Sequence, residues 1–394
     1  MLLSFKIKNF RSFKGEQEIS FVLNEDECID PERIFEVNTE NGKIRILKNA
    51  IIYGANASGK TNILLALQTL KQIIMYPTGS DNEGLFSDTF AFNRDNTRFE
   101  IKFLKENIIF DYHLEYNRSE VVYENLYKND VIVFERSYQE FKFPSLNESA
   151  KNLLEIVRKT GLLIFFAQHY NVEDTKKAFS WFFAASSPPI VNSLTTNKLF
   201  KENVLYALRF ADFNILDIEV EEKQIYNDGI IVGLNINNEA EIVPKKAIEV
   251  YFIHDNNGNR FRIPLQNESQ GTRTFFEFIL FLLNPDSENY SYFQVDELDL
   301  SLHKKLTSNL VRLLNSKNNF IQCIATSHDS SLMDILRPSQ IYFVEKSVEG
   351  VSEIFKLSDF DDISNDDKYA SEYEAGLFGA DQIINEAGLM SILG

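Results

Sequence analysis

Cysteine is scarce in this chain of 394 residues: Cys28 and Cys323 lie far apart and in no metal-ligand spacing. A disulfide framework is therefore excluded, which fits a reducing compartment, and the expected location is the cytoplasm. Cys323 falls in an apolar strand-like run and reads as a small core residue. Long hydrophobic runs are missing too. The longest, Phe275 to Leu283, is interrupted by Glu277 and is too short to cross a bilayer, so no membrane association is expected. Lys6, Lys8 and Arg11 break up the early apolar residues, and no secretory signal is expected there. Tryptophan occurs once, although aromatics reach 13%, and no function follows from that skew.

A basic surplus is also absent. Forty Lys and Arg face 58 Asp and Glu, for a formal net charge of −18. Such a chain lacks the field that gives non-specific nucleic-acid affinity, so any such contact must come from a local basic patch. The acids gather late, at Asp359, Asp361, Asp362, Asp366, Asp367, Glu372 and Glu374. They read as a solvated face rather than a metal or nuclease centre. No repeat, low-complexity tract or sustained heptad pattern occurs.

What remains is an ordinary folded composition, 44% hydrophobic and 25% charged, in a length that allows one large core or two modest ones. Leu3, Phe5 and Ile7 alternate with polar residues, and Ile19, Phe21 and Leu23 repeat the pattern after Gly15, predicting two strands joined by a turn. A short apolar strand from Lys48 to Tyr53 precedes a glycine-bounded loop. A helix over Lys60–Met75 follows, with Ile63, Leu64, Leu67, Leu70 and Ile74 on one face. Antiparallel strands are expected across Phe99–Leu104, Ile108–Tyr116, Val121–Tyr127 and Val131–Arg136. Residues 149–212 read as mostly helical, broken by Ser186-Ser187-Pro188-Pro189. Strands near 215–222, 230–236, 248–254 and 260–263 follow, and Asn256-Asn257-Gly258-Asn259 marks a hairpin. The remainder alternates: helix 271–283, strand 290–295, helix 302–315, then strands 320–326 and 340–345.

Four constellations carry chemistry. Gly54-Ala-Asn-Ala-Ser-Gly59-Lys60-Thr61 matches the phosphate-binding loop, with the required strand before and helix after. Its glycines let backbone N–H groups turn inward around phosphates at a positive helix N-terminus. Lys60 would reach the terminal phosphates and Thr61 would offer its hydroxyl to Mg²⁺. In Tyr292-Phe-Gln-Val-Asp296-Glu297 a strand ends in two acids: Asp296 would hold Mg²⁺ through water, and Glu297 would polarise an attacking water. Before it, Asn267-Glu-Ser269-Gln270-Gly271-Thr272 opens an apolar helix whose N-terminus suits an anion. Last, His328 ends the strand-like Ile324-Ala-Thr-Ser327-His328, where an imidazole can sense a γ-phosphate and orient water.

Taken in this order, the residues resemble the ABC-type ATPases of the SMC, RecF and OLD group. The opening Ile7-Lys-Asn9-Phe10-Arg11-Ser12-Phe13 is similar to the start of those proteins, which implies that Arg11 reaches the nucleotide; Asn56 also fits the group. Ser269, Gln270 and Gly271 resemble the ABC signature, which faces the γ-phosphate of ATP held by another subunit. Glu297-Leu-Asp299-Leu-Ser301-Leu302-His303 and Tyr373-Glu-Ala-Gly376-Leu-Phe378-Gly379-Ala380 resemble the compact AAA-type ATPases of bacterial abortive-infection and anti-phage operons. Phe90-Ala-Phe92 and Leu162 to Asn171 also look like that group. Where transporter-type ABC proteins carry an Asp after the two acids this chain has His303, and no Q-loop glutamine is identified, Gln168 falling in a helical stretch. Coiled-coil arms are absent, as is any TOPRIM, HNH or zinc motif after residue 345.

The resemblance implies an α/β fold: an ABC-type P-loop ATPase head with a mixed central sheet plus an inserted strand- and helix-containing region. The expected division is 1–75 and 264–394 for the two halves of the core and 76–263 for the insertion. The implied cofactors are ATP and Mg²⁺, and the implied assembly is a homodimer or higher homo-oligomer through shared ATP sites. A separately encoded effector, such as a TOPRIM nuclease, is the implied partner of an anti-phage sensor or scaffold. The alternatives are a RecF-like repair ATPase that clamps DNA and a slow-hydrolysing nucleotide switch.

Overall fold

The computed structural model describes residues 1–24, 27, 29–78, 83–144, 152–170, 172–184, 190–211, 213–225, 231–234, 240–243, 245–283, 292–300, 302–361, 363 and 368–380. Cys28, Asn171, Ser186 to Pro189, Ser301, Asp362, Asp366 and Asp367 lie outside the described residues. In chain order the elements are β1 (Leu2–Lys8), β2 (Gln17–Ser20), β3 (Ile34–Thr39), β4 (Gly42–Leu47), β5 (Asn49–Tyr53) and α1 (Lys60–Met75). Then come β6 (Thr97–Lys105), β7 (Ile108–Tyr116), β8 (Val121–Lys128), β9 (Val131–Ser137), β10 (Glu140–Lys142), α2 (Asn152–Ile156), α3 (Leu163–His169) and α4 (Glu173–Ala184). A run of α5 (Ile190–Thr196), α6 (Lys198–Phe210), β11 (Asp217–Ile225), β12 (Ile231–Leu234), β13 (Ala240–Val243), β14 (Lys245–Asn256), β15 (Asn259–Pro264) and α7 (Gln270–Leu282) follows. The last elements are β16 (Phe293–Val295), α8 (Lys304–Leu314), β17 (Cys323–Thr326), β18 (Ile341–Lys346), β19 (Ser352–Lys356) and α9 (Tyr369–Glu374).

The chain divides into two units, one of 1–186 with 288–394 and one of 187–287. Boundaries expected at 75/76 and 263/264 differ from this division for a physical reason. β1 leaves one edge for pairing, and β6 fills it in register from Lys8 opposite Arg98 to Ser4 opposite Lys102. Residues 97–142 therefore extend the N-terminal sheet, in the order β10-β9-β8-β7-β6-β1-β2, all antiparallel.

A second sheet in the same unit runs β16-β17-β5-β18-β19. β16, β17, β5 and β18 are parallel, and β19 closes the edge antiparallel to β18. All five residues of β5 are buried, as a strand covered on both faces requires. Its neighbours β17 and β18 come from the far end of the sequence, so distant segments deliver their strand tips to one edge. In open α/β sheets, ligand sites form at that edge.

Helix α1 has the bounds its periodicity predicts and buries Ile63, Leu64, Leu67, Leu70 and Ile74. The lone tryptophan is structural. Trp181 on α4 is 1% exposed and stacks on Phe103 of β6 at 4.4 Å and on Tyr292 at 5.5 Å. One buried ring thus joins the antiparallel sheet to the residue that leads into β16. The late Tyr373-to-Ala380 stretch packs on the parallel sheet, with Tyr373 and Phe378 stacked against Phe343 of β18. The Tyr373 hydroxyl donates to Ala380 O at 3.1 Å.

The second unit holds the β11-β14-β15 sheet and the β12–β13 hairpin. The turn between β14 and β15 places Asn257 and Gly258 at positive φ, as its sequence predicts.

Sequence patterning does not reveal a fully buried ion pair under the antiparallel sheet. Glu124 of β8 and Arg136 of β9 are both 0% exposed, with Nη1 and Oε2 3.7 Å apart. Glu124 accepts from the N–H groups of Leu163 at 2.7 Å and Ile164 at 3.0 Å, and from Tyr112 Oη at 3.1 Å. A carboxylate on the sheet therefore caps the first turn of α3. Glu124→Leu is expected to lower the unfolding free energy by about 3–5 kcal/mol, because it leaves Arg136 charged and unpaired. Glu124→Leu/Arg136→Met should recover part of that loss. Urea unfolding of the two variants checks both values, and equal stabilities would exclude the ion pair as the cause.

Candidate functional site

The loop from Gly54 to Thr61 leaves β5 and enters α1 at the parallel edge. Two glycines are required by shape. A Cβ on Gly54, which has φ +149°, would strike the Val344 carbonyl oxygen. A Cβ on Gly59, at φ +116°, would sit 2.6 Å from Ser352 Oγ and 2.7 Å from Ser12 Oγ. Asn56 is exposed at the tip, whereas Lys60 is buried and donates to Gly54 O at 2.8 Å and Ala55 O at 3.0 Å. Burial pushes the Lys60 ammonium below the usual lysine range, while Asp296, Glu297 and Asp299 pull the other way. Ser58 Oγ is buried with no hydrogen-bond partner among the described residues. A buried ammonium held only by carbonyls, an orphaned hydroxyl and two glycines that leave no room for a Cβ fit a phosphate-binding loop.

The tip of β16 completes the site. Asp296 Oδ1 accepts from Thr61 Oγ1 at 3.2 Å and from Thr326 Oγ1 at 2.6 Å. Thr326 Oγ1 in turn accepts from Glu297 N at 2.7 Å, and Thr326 O accepts from Leu298 N at 2.9 Å. Glu297 has φ +52°, a left-handed conformation uncommon for a residue with a side chain. The two Thr326 contacts hold it there. Such strain concentrates at functional sites. Among the described residues no group of three or more His, Cys, Asp or Glu could hold a metal unaided. One carboxylate and one hydroxyl suit Mg²⁺, which takes most of its ligands from water and phosphates.

His328 lies just beyond the tip of β17, with its N–H fixed by Asp299 Oδ1 at 3.0 Å and the residue exposed. Arg11, at φ +50°, pairs through Nε with Asp88 Oδ2 at 2.9 Å and reaches Asn62 Oδ1 in the first turn of α1 at 3.4 Å. Asn62 Nδ2 donates to Ser12 Oγ at 2.8 Å. The structure thus gathers Lys60, Thr61, Asp296, Glu297 and His328 along one strand edge, with Arg11 against the helix that begins there.

Ser269, Gln270 and Gly271 belong to the other unit. Ser269 caps α7, its Oγ accepting from Thr272 N at 3.1 Å, and Ser269 and Gln270 are exposed. Just before them, Glu268 binds His254 Nε2 of β14 at 2.6 Å and anchors the entry to α7.

Sequence reasoning assigned no role to Thr326, Asp299, Asp88 or the His254–Glu268 pair, although Thr326, Asp299 and Glu268 lie inside the stretches it singled out. Thr326 leaves a trace, being the polar end of a four-residue strand buried throughout. Asp88 leaves none, because its relation to Arg11 exists only after folding.

A family model described as "AAA domain, putative AbiEii toxin, Type IV TA system" matches residues 50–334, which takes in the loop, the signature-like turn, both acids and His328. No curated protein matches. Among solved structures, the chain is similar to the SMC head bound to the C-terminal winged-helix domain of ScpA, with 12% identity, TM-score 0.41 and coverage of 90% of this chain and 97% of that one. It is also similar to the SMC head domain from Thermotoga maritima, with 16% identity, TM-score 0.38 and coverage of 90% and 98%.

Thr326→Val removes the hydroxyl that joins Asp296 to the Glu297 backbone while keeping the strand's shape. Loss of a hydrogen bond to a charged group is worth about 1.5–3 kcal/mol. The Mg²⁺ concentration for half-maximal nucleotide binding should rise about tenfold or more, measured by titration with a fluorescent ATP analogue. An unchanged requirement in a folded variant would remove Thr326 from the site.

Proposed function

This chain belongs to that AAA-domain family of AbiEii type, and on that premise we propose that it binds ATP with Mg²⁺ and hydrolyses it at the parallel-sheet edge. The observation that carries this reading is the Asp296 carboxylate, hydrogen-bonded to Thr61 of the phosphate loop and to Thr326 of the neighbouring strand. Bound Mg²⁺ would supply charge neutralisation for the transferring phosphoryl group. Lys60 binds the terminal phosphates once they replace its loop carbonyls. Thr61 through its hydroxyl and Asp296 through water would hold the metal. Glu297, turned out of the strand by its left-handed backbone, accepts a proton from the attacking water. His328, exposed just beyond the tip of β17, would sense the γ-phosphate and orient that water, while Arg11 and Asn56 would border the nucleotide.

The exposed Ser269 cap supports a shared site, in which Ser269, Gln270 and Gly271 of one copy meet the γ-phosphate bound by another. Homodimerisation or a higher homo-oligomer follows from that arrangement. The toxin–antitoxin description of the family supports placement in a phage-defence system. There the ATPase acts as sensor or scaffold, and a separately encoded effector, such as a TOPRIM nuclease, does the damage. Copurification with operon neighbours tests this last step.

Lys60→Ala should abolish ATP binding without unfolding the chain, and isothermal titration with ATP and Mg²⁺ measures it. Wild-type affinity in the folded variant would reject the loop assignment. Glu297→Gln keeps size and hydrogen bonding but removes the charge that draws the proton, so turnover should fall about 10²- to 10⁴-fold with ATP affinity retained. Phosphate-release assays check the first effect and titration the second; near-normal turnover would place the catalytic acid elsewhere. Mixing Lys60→Ala with Gly271→Asp subunits should restore activity above the sum of the two, provided mixed dimers form. If it never does, the shared site is excluded.

A further inference from the structure

A cleft of about 390 Å³ opens where β1 and β6 meet residues 93–96, and none of its lining residues belongs to the Gly54–Thr61 loop. In a chain of charge −18 its lining is cationic: Lys8, Lys14, Arg94 and Arg98 against Asp95 and Glu115. Glu115 is occupied by Asn96 Nδ2 at 2.8 Å, and Arg98 pairs with Glu100. Lys8, Lys14 and Arg94 are exposed, and among the described residues none of them makes an ion pair. An acidic protein has carboxylates to spare for such cations. Three cations without an ion pair around one concavity, with Asp95 the one remaining lining carboxylate, leave a positive excess that favours an anionic ligand.

The turn that leads into the lining residues adds an aromatic component. Phe92 directly precedes the lining residue Asn93 and is 91% exposed. Ala91 and Phe92 stand at φ +50° and +54°, two successive left-handed residues that each carry a side chain. The turn is locked nonetheless. Phe92 N donates to Thr89 O at 3.2 Å, Thr89 Oγ1 donates to Asn93 O at 2.8 Å, and the Asn9 and Asn93 side chains exchange hydrogen bonds at 3.0 and 2.9 Å. Lys14 Nζ lies 6.0 Å from the centre of the Phe90 ring. An apolar ring is thus held out in water by a strained, pinned turn that runs directly into the lining residues 93–96.

A ligand that answers both features carries regularly spaced negative charge and a flat, accessible face. Single-stranded nucleic acid has both, whereas a duplex hides its base faces and a polyglutamate chain has no flat face. We propose that this cleft binds single-stranded nucleic acid, with Lys8, Lys14 and Arg94 on the phosphates and Phe92 stacked on a base.

Fluorescence anisotropy with a labelled oligothymidylate of about 20 nucleotides, enough to span a groove of this class, tests the proposal on the full chain without ATP. The single strand should bind more tightly than a duplex of equal length. Phe92→Ala should weaken it about fivefold or more, as loss of one stacked base does. Lys8→Ala/Arg94→Ala should weaken it further and lower the slope of log affinity against log salt by about 1.4. These side chains are exposed, and circular dichroism checks that each variant folds. Lys60→Ala should bind the strand as the wild type does, which separates this site from the nucleotide site. Absence of binding at low salt, equal affinity in the variants, or binding of a polyglutamate peptide in place of the oligonucleotide would each overturn the proposal.

Discussion

Asp296 accepts hydrogen bonds from both Thr61 and Thr326, and this junction ties together the three segments that make the site. Thr61 opens α1, Asp296 ends β16 and Thr326 ends β17, so one carboxylate reports on the register of a whole sheet. If β17 slipped by one residue against β5, Thr326 would turn to the opposite face and the junction would be lost. The pairing of Cys323 to Thr326 with Asn49 to Ile52 prevents that slip, and all of these residues are buried. Ser327 N extends the register by donating to Ile52 O at 3.0 Å.

Precision at the tips rests on what lies behind them. Trp181 stacks on both Phe103 and Tyr292, linking the antiparallel sheet to the residue before β16. The Glu124–Arg136 pair sits deeper, where removing either charge strands the other in a medium that cannot solvate it. Against such a frame a residue like Glu297 can keep a left-handed backbone, because Thr326 satisfies both Glu297 N and Leu298 N. The loop glycines answer a different pressure. Val344, Ser352 and Ser12 crowd Gly54 and Gly59 from other segments, leaving no volume for a side chain.

Much of this was legible without coordinates where one local pattern sufficed. The period of Ile63, Leu64, Leu67, Leu70 and Ile74 defines α1 to the residue, and β7 has the bounds its alternation predicts. The strand–loop–helix context of Gly54 to Thr61 and the acids after Val295 fall where the pattern places them. Short or weakly patterned elements were missed: the β3–β4 hairpin, β19 and α9 carry too little periodicity to stand out. The insertion from residue 76 looked separate because nothing in residues 97–105 announces that β1 is their partner.

The sequence by itself determined the glycine-bounded loop from Gly54 to Thr61, the two acids at the end of β16, the helix-capping Ser269 and the net acidity, because each depends on residue type and near neighbours. Tertiary structure alone decided that Thr326 joins Asp296, that Asp88 holds Arg11 and that Lys8, Lys14 and Arg94 surround one cleft. Those relations cross tens to hundreds of residues, as from Thr61 to Asp296. They arise only when β5 takes its place between β17 and β18 and β1 pairs with β6. Local propensity reaches a few residues along the chain, whereas strand pairing brings together groups whose separation in sequence carries no signal of their meeting.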